Sequence, residues 1–221
     1  MTRMVTIGAA QTGPIQRSDT RAEVVERLIA LLRQGAEAGC DLVVFPELAL
    51  TTFFPRWFVG DRAEFDHFFE TEMPGPETQP LFDEAVRLQV GFHLGYAELT
   101  PDGHHYNTAI LVEPNGQIVA RYRKVHLPGH EAHEPWRAFQ HLERYYFEAG
   151  PSFDVHRAFG GLMGMAICND RRWPETYRVL GLQGCEMALI GYNTPTHYAP
   201  DPSQDRLQGF HNHLVLQSGA Y

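Results

Sequence analysis

The 221-residue sequence has no long apolar run, few cysteines and no surplus of positive charge. No stretch approaches the roughly 20 consecutive apolar residues of a bilayer-spanning helix, so no membrane partner is expected. Three cysteines occur, Cys40, Cys168 and Cys185, an odd number at no framework spacing. This disfavours a disulfide scaffold and points to a reducing, cytoplasmic compartment. Cys40 and Cys185 each sit between a helix-like segment and an apolar strand, where small buried thiols pack well. Lys and Arg total 18 against 27 Asp and Glu, a net charge of -9. A nucleic-acid binder needs a basic face, so no nucleic-acid partner is expected. The N-terminus lacks a secretory layout, because Gln11 and Thr12 interrupt a short apolar run that reads as a strand. Low-complexity tracts and linkers are absent too, and the length suits one domain, residues 1–221.

What is present is a repeated arrangement of apolar run and reactive residue. Asp41-Leu42-Val43-Val44-Phe45-Pro46 leads into Glu47, Ile118-Val119-Ala120-Arg121-Tyr122-Arg123 into Lys124, and Leu162-Met163-Gly164-Met165-Ala166-Ile167 into Cys168. Around these runs the pattern alternates. Met4 to Ala10 reads as a strand. Thr20 and Glu23 form a capping box ahead of a helical repeat through Val25, Leu28, Ile29, Leu32 and Ala36, which Gly39 stops. Residues 77–89 read as a helix, Val90 to Glu98 as a strand, and 107–123 as a hairpin around an Asn115-Gly116 turn. Strands follow near 153–156 and 162–167, then a helix opened by Pro174, a strand from Met187 to Ile190 and a helix from about Ser203 to Ser218. Residues 51–76 are aromatic-rich and read either as a pocket wall or as a surface loop. Residues 128–149 are polar and turn-rich. Gly39-Cys40-Asp41 and Gly184-Cys185-Glu186 each leave a helix for an apolar strand, a faint internal echo.

Each reactive residue has a plain structural alternative. Cys168 could be a buried structural thiol, Glu47 a capping or ion-paired carboxylate, and Lys124 a solvated edge-strand cation. Together they supply a nucleophile, a proton acceptor and a cation for a developing oxyanion, the requirements for covalent attack on an amide-like carbon. A desolvated Glu47 would have a raised pKa. Arg171 and Arg172 close to Cys168 would favour its thiolate.

The segments Phe45-Pro46-Glu47, Arg123-Lys124-Val125-His126-Leu127-Pro128-Gly129 and Ile167-Cys168-Asn169-Asp170-Arg171-Arg172-Trp173-Pro174-Glu175 resemble, in order and spacing, the three signature segments of the nitrilase, or carbon–nitrogen hydrolase, superfamily. The stretches His141-Leu142-Glu143-Arg144-Tyr145-Tyr146-Phe147-Glu148 and 91–99 are most similar to N-carbamoyl-D-amino-acid hydrolases within it. The resemblance implies an α/β (α+β) fold, a four-layer α-β-β-α sandwich. It is expected to be truncated, since the family's C-terminal part would lie beyond Tyr221. It implies hydrolysis of an N-carbamoyl-D-amino acid to the D-amino acid, carbon dioxide and ammonia through a thiocarbamate on sulfur, with no cofactor. By motif, Glu47 would be general base, Lys124 the oxyanion stabiliser, Cys168 the nucleophile and Glu143 a second glutamate beside the triad. Asn169 would complete the oxyanion site through its N–H. Arg171 and Arg172 would bind a substrate carboxylate, and His126, His141 and Asn193 would orient the ureido group. The resemblance also implies a homo-oligomer.

Two other classes compete. His126, His130 and His133, with His104 and His105, could hold zinc in a metal-dependent hydrolase, although their segment is not clearly helical. A nitrilase-like binding protein without turnover is the third reading, opposed by the presence of all three reactive residues.

Overall fold

The apolar runs pair into two β-sheets, and the amphipathic segments cover them. A computed structural model describes residues 3–137, 140–199 and 201–221. In chain order the elements are β1 (Ile7–Ala9), α1 (Arg21–Glu37), β2 (Leu42–Val44), α2 (Arg62–His67), β3 (Phe69–Glu70), α3 (Gln79–Leu88), β4 (Gly91–Leu99), β5 (His105–Val112), β6 (Ile118–Arg123), α4 (Glu143–Tyr146), β7 (Val155–Ala158), β8 (Gly161–Ile167), α5 (Pro174–Leu182), β9 (Met187–Gly191) and α6 (Asp205–Ala220). One sheet has the order β1-β2-β4-β5-β6, with β3 beside β4, and the other is β7-β8-β9.

Strand alternation sends the two faces of the larger sheet into different cores. Phe92, Leu94 and Tyr96 of β4 pack with Val25, Leu28, Ile29 and Leu32 of α1 and with Leu81, Phe82 and Ala85 of α3. On the opposite face, Leu42, Ala109, Leu111, Ala120 and Tyr122 meet Met163, Met165, Ile167 and Leu189 of the smaller sheet. α5 lies on the outside of that sheet, where Leu180 closes against Gly164. The layer order is therefore helix, sheet, sheet, helix, the four-layer arrangement expected. α6 packs along α5 at Gly219 and Tyr177 without a buried residue of its own.

Local chemistry explains most boundaries. Both hydrogen bonds of the Thr20–Glu23 capping box are present at the start of α1. The β5–β6 turn differs from the two-residue form that Asn-Gly favours. In a two-residue Asn115-Gly116 loop Pro114 would flank the turn and have to donate its N–H to Gln117, and proline has none. Instead Glu113 C=O accepts from Gly116 N–H at 2.8 Å, and Gly116 alone is left-handed, with φ of 82°. Most aromatic residues of the 51–76 segment form a local cluster. Phe54, Phe68 and Phe69 join Leu48, Leu142, Tyr146 and Phe147 in a third core that props Glu47's turn against α4. Cys40 and Cys185, expected buried, are half-buried, because each lies at a strand entrance on the margin of a core.

The internal echo is structural. α1 joins parallel β1 and β2, and α5 joins parallel β8 and β9. Gly39 and Gly184 are left-handed, with φ of 77° and 79°. Each is followed by a cysteine and then a carboxylate that reaches back to the neighbouring strand: Asp41 accepts from Thr6 N–H at 2.7 Å and Glu186 from Leu162 N–H at 2.8 Å.

Candidate active site

Glu47 leaves β2 through a narrow passage between the sheets. A Cβ on Gly95 of β4 would stand 2.9 Å from Glu47 Cα, and one on Gly191 of β9 would stand 3.1 Å from Glu47 N. Only hydrogen at both positions lets the backbone pass. Leu48 then turns with φ of 48°, and Asn193 Nδ2 donates to Glu47 C=O at 2.6 Å. The Glu47 side chain, 1% exposed, accepts through Oε1 from Lys124 Nζ at 2.6 Å and from Asn107 Nδ2 at 2.8 Å. Its Oε2 is buried with no hydrogen-bond partner among the described residues.

Lys124 follows the last residue of β6, where its N–H still donates to Asn107 C=O at 2.9 Å. That last rung fixes the direction in which the side chain leaves the sheet. Its ammonium is fully buried and also donates to Glu143 Oε2 at 2.5 Å. Glu143 opens α4, and its Oε1 faces His141 Nε2 at 2.7 Å. Cys168 immediately follows β8 with φ of 43°, a left-handed conformation costly for a residue with a Cβ. Its side chain stands in the field of Glu47, Lys124, Glu143 and Arg171.

The electrostatics separate the two carboxylates. Burial raises the Glu47 pKa, and Lys124 only partly offsets it. Burial pushes Glu143 the same way, but Lys124 and His141 outweigh it and hold its pKa below the usual range. Burial opposes the Lys124 charge, yet Glu143 and Glu47 together keep its pKa well above normal. The expected thiolate at Cys168 is not found. Burial, reinforced by Glu47, pushes the thiol up to about 12, and Lys124 and Arg171 do not compensate. At neutral pH this site holds a thiol, an ammonium, an ionised Glu143 and a Glu47 of raised proton affinity, a division suited to moving a proton from sulfur.

The remaining candidates fall into different places. Asn169 Nδ2 donates to His126 C=O at 3.0 Å, and both residues line a cavity of about 550 Å³ with Val125, Leu127 and Trp173. His141 lies against Glu143 and Phe53. Arg171 is 1% exposed, its donors engaged with Cys168 C=O at 2.6 Å, Thr194 at 2.8 Å and Asn212 at 3.2 Å, with the Tyr192 ring beneath it. The guanidinium braces the elbow instead of standing open to a carboxylate. Arg172, one residue on, is exposed. Asn193 holds the Glu47 backbone. The histidines of the zinc reading face separate partners: His126 faces Asp170, His130 faces His141 C=O, His133 stacks on Phe58 and His104 faces Glu148. Among the described residues no group of three or more metal-ligating side chains gathers.

Two residues escaped the sequence reading. Asn107 directs its amide at both carboxylates, at 2.8 Å to Glu47 and 3.4 Å to Glu143. Asp170 sits fully buried beneath the elbow. A polar Asn107 at the head of the apolar strand 108–112 was the available signal for the first.

The carbon–nitrogen hydrolase family model matches residues 6–221. The N-carbamoylputrescine amidase of Solanum tuberosum is 26% identical over 220 residues, which cover 99% of this chain and 67% of that protein. An (R)-stereoselective amidase of a Pseudomonas species is 32% identical over 160 residues, 72% of this chain and 51% of that protein. The chain thus spans between half and two thirds of these relatives' length. The crystal structure of a carbon–nitrogen hydrolase from Helicobacter pylori G27 superposes with a TM-score of 0.79 at 21% identity, covering 97% of this chain and 68% of that one. That likeness extends to the fold, and the match across nearly the whole sequence settles the affiliation: the chain belongs to the carbon–nitrogen hydrolase family.

Proposed function

We propose that this chain carries the centre of a thiol amidohydrolase that cleaves N-carbamoyl amino acids, with the D-enantiomer preferred. The observation that carries the reading is one buried ammonium, Lys124, held between Glu47 and Glu143 in the field of a thiol on a strained elbow. A buried ion cluster of this kind is costly to build for stability alone.

In the proposed course, Glu47 takes the Cys168 proton as sulfur attacks the carbamoyl carbon. Its unpartnered, buried Oε2 is the acceptor. Lys124 Nζ and the Asn169 N–H hold the oxyanion of the tetrahedral adduct. As the adduct collapses, the bond from carbon to the amino-acid nitrogen breaks, and the Glu47 proton passes to the leaving amine. A thiocarbamate remains on Sγ. Water then attacks it, giving one proton to Glu47. The carbon–sulfur bond breaks, the proton returns to sulfur, and the released carbamic acid decomposes to carbon dioxide and ammonia. Glu143 stays ionised throughout and keeps Lys124 charged. His126 and His141 orient the ureido group, and exposed Arg172 takes the carboxylate. Arg171, enclosed by protein partners, supports the elbow.

A second substrate class has its own support. The Solanum tuberosum relative is named for a carbamoyl amine with a cationic tail. Glu131 on the cavity wall, with a side chain 69% exposed, could receive such a tail in place of its partner Arg144. The test follows ammonia and amine release from both enantiomers of an N-carbamoyl amino acid, from a carbamoyl diamine and from simple amides. Turnover of the D-carbamoyl acid is expected, with none by Cys168→Ala. Undiminished hydrolysis by Cys168→Ala would overturn the nucleophile, and exclusive turnover of the diamine would overturn the substrate class.

A further inference from the structure

Asp170 takes no part in the chemistry above, yet its carboxylate is fully buried two residues beyond the nucleophile. Oδ2 accepts from the Tyr122 hydroxyl at 2.7 Å and from Ile167 N–H at 2.9 Å. Oδ1 accepts from His126 N–H at 2.8 Å and lies 3.0 Å from His126 Nδ1. Its one ion-pair contact among the described residues is that same imidazole. A carboxylate withdrawn from water is tolerated only where such donors replace its hydration.

The identity of the donors gives the arrangement its meaning. Tyr122 precedes Lys124 by two residues, and His126 follows it by two. Ile167 immediately precedes Cys168. Lys124 is carried by the larger sheet and Cys168 by the smaller one. One side chain therefore joins the segment that presents the ammonium to the segment that presents the sulfur. Neighbouring bonds reinforce the joint. Tyr122 Oη accepts from Val125 N–H at 3.2 Å, Asn169 Nδ2 donates to His126 C=O at 3.0 Å, and Thr176 Oγ1 donates to Asp170 C=O at 2.8 Å. The left-handed Cys168 needs such bracing, since its φ of 43° is unfavourable without it.

We infer that Asp170 is a positioning residue, the fixed point that sets Cys168 Sγ against Lys124 Nζ by tying the exit of β6 to the nucleophile elbow. This rests on the thiol-amidohydrolase reading of the site. The geometry also explains why an isosteric amide is not equivalent. Each carboxylate oxygen faces a backbone N–H, Ile167 on one side and His126 on the other. Whichever way an Asn at this position turned, its NH2 would meet a main-chain donor that cannot reverse its role. The carboxylate also requires a proton on His126 Nδ1, so a neutral His126 keeps its lone pair on Nε2.

The test compares Asp170→Asn and Tyr122→Phe with the parent protein on its best N-carbamoyl substrate, at a temperature where circular dichroism shows each variant folded. Tyr122→Phe removes one of the four donors and leaves the carboxylate in place. A positioning role predicts that kcat falls about tenfold in Tyr122→Phe and about a hundredfold in Asp170→Asn, with KM within about twofold, because only the transition state needs the alignment. Unchanged kcat in folded Tyr122→Phe, or a rise in KM at constant kcat, would overturn the inference whether or not Asp170→Asn folds. Cys168→Ala, assayed beside them, keeps the two failures apart. Parent-like turnover by Cys168→Ala would sink the nucleophile assignment itself. An inactive Cys168→Ala beside an active parent and unaffected Tyr122→Phe would sink the positioning role alone.

Discussion

Asn107 shows how much a single uncharged side chain can control. Its two bonding partners are both carboxylate oxygens, so its NH2 group must face them and its orientation is fixed. It gives Glu47 a second donor without adding charge, which leaves Lys124 as the shared cation of two carboxylates. Asn107→Asp would keep the shape and replace a donor by a third acceptor. We predict a loss of kcat of about 10- to 100-fold at neutral pH with the fold intact, the scale of one charge-assisted hydrogen bond. Steady-state kinetics alongside circular dichroism measure it, and parent-like kcat would show that the amide is dispensable. Neutral Cys168 belongs at this scale too. The arginines that follow it in sequence invited an acidic thiol, but Arg171 spends its donors on main chain and side chains while burial governs the sulfur.

At the level of elements, the site is assembled from strand ends. The two strand–helix–strand units, β1-α1-β2 and β8-α5-β9, close their helices with the same glycine, cysteine and carboxylate sequence. β2 delivers Glu47 and β8 delivers Cys168, while β9 delivers the Asn193 that holds Glu47's carbonyl. Such short motifs were visible in the sequence as an echo of a few residues, without any sign that the units face each other across the interior. The glycines that make the crossing possible are also silent in sequence. A methyl group at Gly95 would stand 2.8 Å from Pro46 O and 2.9 Å from Glu47 Cα, so Gly95→Ala forces the Glu47 backbone aside. We predict a loss of about 1–3 kcal/mol in stability and a fall in kcat of at least about tenfold, since catalysis tolerates little displacement of a base. Thermal melts and kcat on the same preparation check both. A variant that melts lower yet turns over normally would show that Glu47 is not held by this contact.

Taken whole, the molecule encloses titratable groups that the site does not use, and His93 is one of them. His93 of β4 pairs in register with Val44 and Leu111 and is fully buried between the sheets. Neither ring nitrogen has a hydrogen-bond partner among the described residues. Burial lowers its pKa from 6.5 to about 4. The unfolded chain therefore takes up a proton below pH 6.5 that the folded chain refuses until about pH 4, so stability present above 6.5 declines as pH falls through that window. The full effect is on the order of 3 kcal/mol. His93→Leu is predicted to flatten the dependence of melting temperature on pH between 6.5 and 4, and an equally steep decline in the variant would place the acid sensitivity elsewhere.

The sequence by itself determined most of the elements, though not α2, β3 and α4, and the stations of the reactive residues. Apolar runs ending in Glu47, Lys124 and Cys168, the Thr20–Glu23 capping box and the helix-opening Pro174 are local patterns, and local patterns survive reading one residue at a time. Tertiary structure decided what those residues are chemically. Which of two glutamates keeps its charge, why the thiol stays protonated, and whether an arginine is open to a ligand or enclosed by protein all depend on desolvation and on partners tens of residues away. Those are properties of the space around a side chain, and they come into being only when the two sheets close on each other.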